Sequence, residues 1–585
     1  KAVRALRHTG IADTMVTLYE GMGMTTGAIS LTDASQDTGV SRDEIAHHYA
    51  TAAELVAELG PVAGVPGHIV DLALSWSIRA AERASQQNYM KSASRVATRA
   101  LDLLGEEVDD AHLASMIRLS LIRAVALTEL RSLPRARADL DRVLRVSVLN
   151  NDLESEAEAR RILGTVVRLS GNLPGARGEL SEAVRLLRQV DNPLRLARAL
   201  RDRAFAELLG GDLRLAEDML EEADELTKRA DDPIGSAWVE WHRAWLSFIS
   251  GDLAQAEQRL GIAAAAMTAL GDRGGLGWVN GLLAYVRYFE GRIPDAEALA
   301  EQVLEEALDR GDDWAAGMMQ ALQANLRLWQ GSTDEAFRLG ESARARFQRM
   351  GDGFGELQSL APLARAAAAL GRTSVHTRLI EDMHLLGGTY GMEGLVLFTE
   401  AMSAAHLGES TRAVRAAELA IERAQERYGL SGEAWATQAL GLVQLGHPDD
   451  AQRCLDRAWD RQGVGPSPFF HAVQVLVHAA QGQIDAAVSL AAELSQDLSA
   501  TYLDHVYAGL GAALAHAQSG SPRAAANALD RAHAVALRTG DVVAKAIIET
   551  ARMSLHDGAQ PENLPDVDVA LHGWRRLFDA AAHGS

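Results

Sequence analysis

Between residues 232 and 271 the apolar positions fall in two helical stripes. Pro233 to Ser250 is an apolar-rich stretch with proline at its start, where a missing N–H costs a helix nothing. Gly251-Asp252 breaks that helix and opens the next: glycine permits a left-handed C-terminal residue, and aspartate caps the following N-terminus. The second stripe runs Leu253, Ala256, Leu260, Ala264, Met267, Leu270, at spacings of three and four. Gly271-Asp272 then ends it, and the Gly-Asp pair returns at Gly311, Gly351 and Gly540. The unit predicted is a pair of antiparallel helices joined by a tight turn.

This unit repeats. The turn glycines Gly171, Gly211, Gly251, Gly291, Gly331 and Gly371 are spaced by 40, and alanine follows five places on at Ala176, Ala216, Ala256, Ala296 and Ala336. Leu or Ile stands two places on at Leu173, Leu213, Leu253 and Ile293. Looser copies precede the run at Asn88-Tyr89 and at Arg131 to Ala136, and others follow at Gly408, Gly446, Gly482 and Gly520. A fixed period of this size means stacked copies of one supersecondary unit. The expected fold is all-α, an α-solenoid of about twelve helical pairs wound into a superhelix.

The remaining segments divide as follows. Residues 1–40 hold a Gly- and Thr-rich stretch with weak periodicity and are expected to be irregular, a remnant of an upstream domain. Residues 41–85 form a helical junction opened by the capping box Ser41-Arg-Asp-Glu44. The first array spans 86–390 and the second 391–556, with the shortened step after Gly371 marking a bend or a join. Residues 557–566 read as a linker. Residues 567–580 form a final amphipathic helix (Val569, Leu571, Trp574, Leu577, Phe578) expected to cover the open end of the stack. The chain opens on Lys1 rather than Met, which suits a processed product or a piece of a longer protein.

Charge and composition narrow the function. A net charge of −22 argues against nonspecific nucleic-acid binding, which needs a basic footprint. Cys454 is the single cysteine, so no intrachain disulfide or multi-cysteine metal site forms, and a reducing cytoplasm is expected. No apolar run reaches membrane-spanning length. The basic residues are nearly all arginine, which together with abundant alanine suits a GC-rich genome of the actinobacterial kind.

The spacing and the Gly…Ala signature resemble tetratricopeptide repeats of the forty-residue variety, from about residue 75 to 555. The segment Ile45-Ala-His-His-Tyr49, then Trp76 and Arg79-Ala-Ala-Glu-Arg83, looks like the junction between an ATPase module and the repeat region of large actinobacterial signalling proteins. Those are the multidomain adenylate/guanylate cyclases and the large LuxR-type regulators. The chain has no Gly-Lys pair, hence no phosphate loop of the Gly-x-x-x-x-Gly-Lys type, and no recognisable cyclase carboxylate motif. The resemblance therefore implies the sensory or scaffolding part alone.

No catalytic residue, metal ligand or cofactor site is expected. His47 and His48 are adjacent and point about 100° apart on a helix, a poor joint metal site. Gly21-x-Gly23-x-x-x-Gly27 has the wrong spacing for a phosphate loop and reads as a linker. Acidic pairs such as Asp231-Asp232 sit at turns, where capping explains them.

The tetratricopeptide resemblance implies that the first helix of each pair lines the concave wall, at positions 13, 10, 6, 3 and 2 residues before the turn glycine. Counting back from Gly251 gives Trp238, Trp241, Trp245 and Phe248; from Gly291, Trp278, Tyr285 and Tyr288, with Phe289; from Gly331, Asn325 and Trp329. Earlier units give Arg198 and Arg201, then Arg161 and Arg168, then Arg118. Such a wall grades from arginine to aromatic. Two readings stand side by side: a groove for a peptide, protein or partner domain, acidic where the arginines face it, or rings that fill a crowded inner wall. On the first, replacing Trp241 and Trp245 together by Ala abolishes binding and leaves stability near wild type.

The function expected is a noncatalytic interaction scaffold or sensor of a bacterial signalling protein. It would be cytoplasmic, off the membrane and off nucleic acid, and open to self-association. The alternatives are the ligand-responsive repeats of a LuxR-type regulator and an enzyme with an unrecognised site.

Overall fold

The computed structural model describes residues 1–21, 41–424, 431–461, 467–555 and 571–582. Among these residues there are 28 α-helices and no strand. Twelve consecutive pairs run from Ile69–Gln86 with Met90–Leu104 to Tyr502–Gln518 with Pro522–Leu537. Two helices precede them and two follow. The chain is an α-solenoid of tetratricopeptide-like helical pairs.

The turns explain the period. Each of the twelve within-pair turns holds a left-handed residue, a glycine in ten of them, from Gly171 at φ 85° to Gly520 at φ 68°. Asn88 (φ 62°) and Arg131 (φ 58°) occupy the corresponding place in the two earliest pairs, which is why those copies looked degenerate. The aspartates cap as expected: the backbone N–H of Leu215 donates to the Asp212 side chain at 3.1 Å, and that of Gln255 to Asp252 at 3.0 Å. The recurring alanines Ala176, Ala216, Ala256, Ala296 and Ala336 are all fully buried. A methyl group there lets neighbouring helices approach closely, and a larger side chain would force them apart. Cys454 is buried beside Gln438, and burial pushes its thiol up to about 11, as suits a small core residue.

The contacts gather into two compact units. The first comprises Lys1–Leu246, Glu257–Asn280 and Glu306–Asp313; the second comprises Ser247–Ala256, Gly281–Glu305 and Trp314–Ser585. The array boundary expected at 390–391 falls inside the second. Within the first unit, Asn88 packs on Gly274, and the Lys91 Nζ stands 3.7 Å from Asp313. Within the second, the Gly540 N–H donates to the Gly331 carbonyl at 3.2 Å, joining turns five pairs apart. The stack therefore winds tightly enough inside each unit for later turns to meet earlier ones.

Two expectations change. The N-terminal segment is not irregular throughout: Ala2–Gly21 is a helix, and it packs on Arg42–Leu59 through Tyr49, whose hydroxyl donates to Asp13 at 2.7 Å. The loop-like residues Gly23 to Gly27, and the linker at 557–566, lie outside the described residues. The final helix is His572–Ala582, and it does not sit on the end of the stack alone. It docks against Ser431–Gln444 and Tyr502–Gln518, two first helices of the second unit, as well as Val542–Leu555. No described helix is long and apolar enough to cross a membrane.

Candidate protein-interaction surface

Residues counted back from the turn glycines of the first helices Pro193–Gly210, Pro233–Ile249 and Arg273–Phe289 meet one another through Phe205, Trp241 and Trp278 and form one face. In the first unit this face carries a continuous aromatic cluster. Trp241 is at its centre, 7% exposed. Its ring lies 5.5 Å from Trp238, 6.1 Å from Trp245, 5.9 Å from Trp278 and 6.2 Å from Phe205, mostly edge to face. The Trp241 Nε1–H also donates to the Trp278 carbonyl at 3.3 Å, tying one repeat to the next. Trp238, Trp245 and Trp278 are less deeply buried than Trp241, each keeping part of its surface exposed.

In the second unit the same register positions form a separate group. Phe248 meets Phe289 at 5.6 Å, and Tyr288 meets Trp329 at 5.6 Å. The Tyr285 hydroxyl donates to the Met318 carbonyl at 3.2 Å. Burial raises the Tyr285 and Tyr288 phenols, with Arg365 near Tyr288 opposing that shift. Asn325 turns its amide to the Ala321 carbonyl of its own helix at 3.1 Å.

The arginines are less free than their register suggested. Arg118 is exposed and pairs with Glu82 at 2.6 Å. Arg161 is held by Glu158 at 2.7 Å and Asp202 at 2.5 Å. Despite burial, Arg161 beside it keeps the Glu158 carboxyl down at about 2. Arg168 lies over the Phe205 ring at 5.0 Å. Arg198 is exposed. Among the described residues Arg201 makes one hydrogen bond, to the Gly235 carbonyl at 3.4 Å, and burial pulls it down to about 10, with Asp202 opposing the shift and Arg198 and Arg161 adding to it. The arginine end is thus partly neutralised by the chain's own carboxylates, although Arg118 and Arg198 stay exposed.

Two features of this face were not anticipated. His242 packs between Phe205 and Trp241, its Nδ1–H donating to the Trp238 carbonyl at 2.7 Å, and burial lowers it to about 4. Its position beside three tryptophans in one helix was the available signal. In the second unit the C-terminal helix meets two positions of the same register. The Trp574 Nε1–H donates to the His406 carbonyl at 3.0 Å, and its ring lies 5.3 Å from Tyr507. His406 stands two residues before Gly408, and Tyr507 thirteen before Gly520, both wall positions in the sequence register.

His47 and His48 are separately engaged, His47 with Arg99 at 2.9 Å and His48 with His8 at 2.7 Å. Among the described residues no group of His, Cys, Asp and Glu could hold a metal ion.

No family model and no curated protein matches the sequence. Among solved structures the chain is similar to a Rap protein complexed with competence and sporulation factor, at 13% identity and TM-score 0.44, over 66% of this chain and 96% of that one. It is also similar to the apo form of RapI, at 14% identity and TM-score 0.33, over 53% and 93%. A third is the APC/C hetero-tetramer Cut9–Hcn1, at 14% identity and TM-score 0.44, over 86% and 92%.

Proposed function

We propose that the chain is a noncatalytic interaction module whose first-helix face in the first unit grips a peptide or protein segment through Trp238, Trp245 and Trp278. The observation that carries this reading is the half-buried state of those three rings around a buried fourth. Rigid, partly exposed tryptophans held by a packed support are the usual anchors of an interface. The docked C-terminal helix supports it as well: in the second unit its buried Trp574 packs at the register positions His406 and Tyr507. A face of this design accepts a helix that brings aromatic side chains. The junction residues around Trp76 favour a place in a bacterial signalling ATPase or LuxR-type regulator, which the parent reading frame would test.

Random-peptide display against the whole chain tests the proposal. Peptides that enrich on the wild type and fail on Trp238→Ala/Trp278→Ala are the expected result. No enrichment, or equal capture by both proteins, contradicts it.

A further inference from the structure

A cavity of about 420 Å³ opens in the first unit between Met90–Leu104 and the start of Leu133–Leu149, well away in sequence from the aromatic cluster. One wall is a basic stripe. Lys91, Arg95 and Arg99 follow one another at steps of four, which puts them on one face of their helix. Arg135, in the first turn of Leu133–Leu149, closes the opposite side, and Leu127 and Leu130 add apolar surface. Asp102 is the one carboxylate among the lining residues. Four cations about one cavity run against the sign of a chain whose net charge is −22.

The state of these cations separates support from recognition. Arg99 is already neutralised: it grips Glu54 through two bonds, at 2.6 and 2.8 Å, and donates to Thr51 at 2.7 Å. Among the described residues Arg95 makes one hydrogen bond, to the Ser92 hydroxyl at 3.4 Å, and its charge also acts on the Asp43 carboxyl. Lys91 has, among the described residues, a single loose ion-pair partner, Asp313 at 3.7 Å, with both side chains exposed. Among the described residues, neither Arg95 nor Arg135 has a carboxylate within ion-pair distance. The Ser132 hydroxyl also lines the cavity and makes no capping bond to its own helix.

We propose that this cavity binds a small polyanion, whose clustered phosphate or carboxylate oxygens are held by Arg95, Arg135 and Lys91 with the Ser132 hydroxyl donating. Guanidinium forks match both kinds of oxygen, and two forks with an ammonium surround a multivalent anion better than a single charge. The volume suits a small molecule and is too small for a folded partner. The site shares no residue with the aromatic face, so either assignment can fail without the other.

Calorimetric titration of the whole chain with pyrophosphate, and separately with citrate, tests the site at low ionic strength. One saturable site for at least one anion is expected, weakening as salt is added. Arg95→Gln/Arg135→Gln should weaken it roughly tenfold or more, while Arg229→Gln, at a remote exposed pair, should leave it unchanged. Lys91→Gln gives an independent second variant should the double substitution disturb folding. Pyrophosphate bound in preference to citrate marks a phosphoryl ligand, and the reverse marks a polycarboxylate. Saturation by neither anion, or affinity unchanged in Arg95→Gln/Arg135→Gln and in Lys91→Gln, overturns the proposal.

Discussion

Gly211 and Gly261 are both glycines beside a helix interior, yet they answer to different forces. Gly211 ends Pro193–Gly210 at φ 85°, a conformation that an L side chain adopts at a cost. Gly261 lies inside Leu253–Leu270 with open space where a Cβ would go. Gly211→Ala should therefore lower stability by about 1–2 kcal/mol, and Gly261→Ala should raise it by up to about 1 kcal/mol. Urea unfolding of the two variants checks the pair, and equal effects would contradict the assignment. His242 gives a pH signature. Its folded pKa, lowered to about 4, lies below the unfolded 6.5, so the unfolded chain binds the extra proton between those values. Its contribution is complete above about 6.5 and is lost as the pH falls toward 4. Wild type should lose on the order of 2 kcal/mol more than His242→Gln between pH 7 and 4.5. Parallel pH profiles for the two proteins would show that His242 does not titrate in this way. The turn glycines and capping aspartates could be read from the sequence because each acts within four or five residues. His242 could not, since its burial comes from rings on other helices.

At the scale of the element, twelve helical pairs were visible because their stripes and turns are local and repeat. The helix Ala2–Gly21 was hidden by the Gly- and Thr-rich stretch that follows it, which drew the whole segment toward an irregular reading. The last helix was recognisable as amphipathic, but an apolar stripe does not name its partner. Its docking rests on contacts across more than a hundred residues: Trp574 to His406, and the Gly573 N–H to the Gly408 carbonyl at 2.9 Å. Near it, a buried network links distant helices. The Tyr502 hydroxyl donates to Asp541 at 2.8 Å, and His406 faces Asp541 at 3.2 Å and the Tyr507 hydroxyl at 2.8 Å. No local pattern announces such a pairing. Trp574→Ala removes a fully buried indole and leaves a cavity, and should cost about 3–5 kcal/mol in the transition that reports the second unit. Arg575→Ala, on the exposed side of the same helix, should change it little. A Trp574→Ala protein melting like wild type would show that the helix is not held as described.

For the molecule as a whole, the register of wall positions was legible because forty-residue spacing carries over from unit to unit. Which of those positions stay open was not. Arg118 and Arg161 are taken by Glu82 and Asp202 on other first helices, and Arg161 also by Glu158 three residues back on its own helix. Trp241 is likewise a support: with 7% exposure and four aromatic rings beside it, its loss should unsettle the fold. The pair Trp241→Ala/Trp245→Ala therefore cannot separate binding from stability, and Trp238 and Trp278 are the rings to remove. The deciding measurement is fluorescence anisotropy of one display-selected peptide titrated into wild type and into Trp238→Ala/Trp278→Ala, with thermal melts of both proteins. Affinity reduced roughly thirtyfold, as loss of about 2 kcal/mol at an anchor gives, with a nearly unchanged melt, is the predicted result. Affinity unchanged, or lost only in step with the melt, would contradict it.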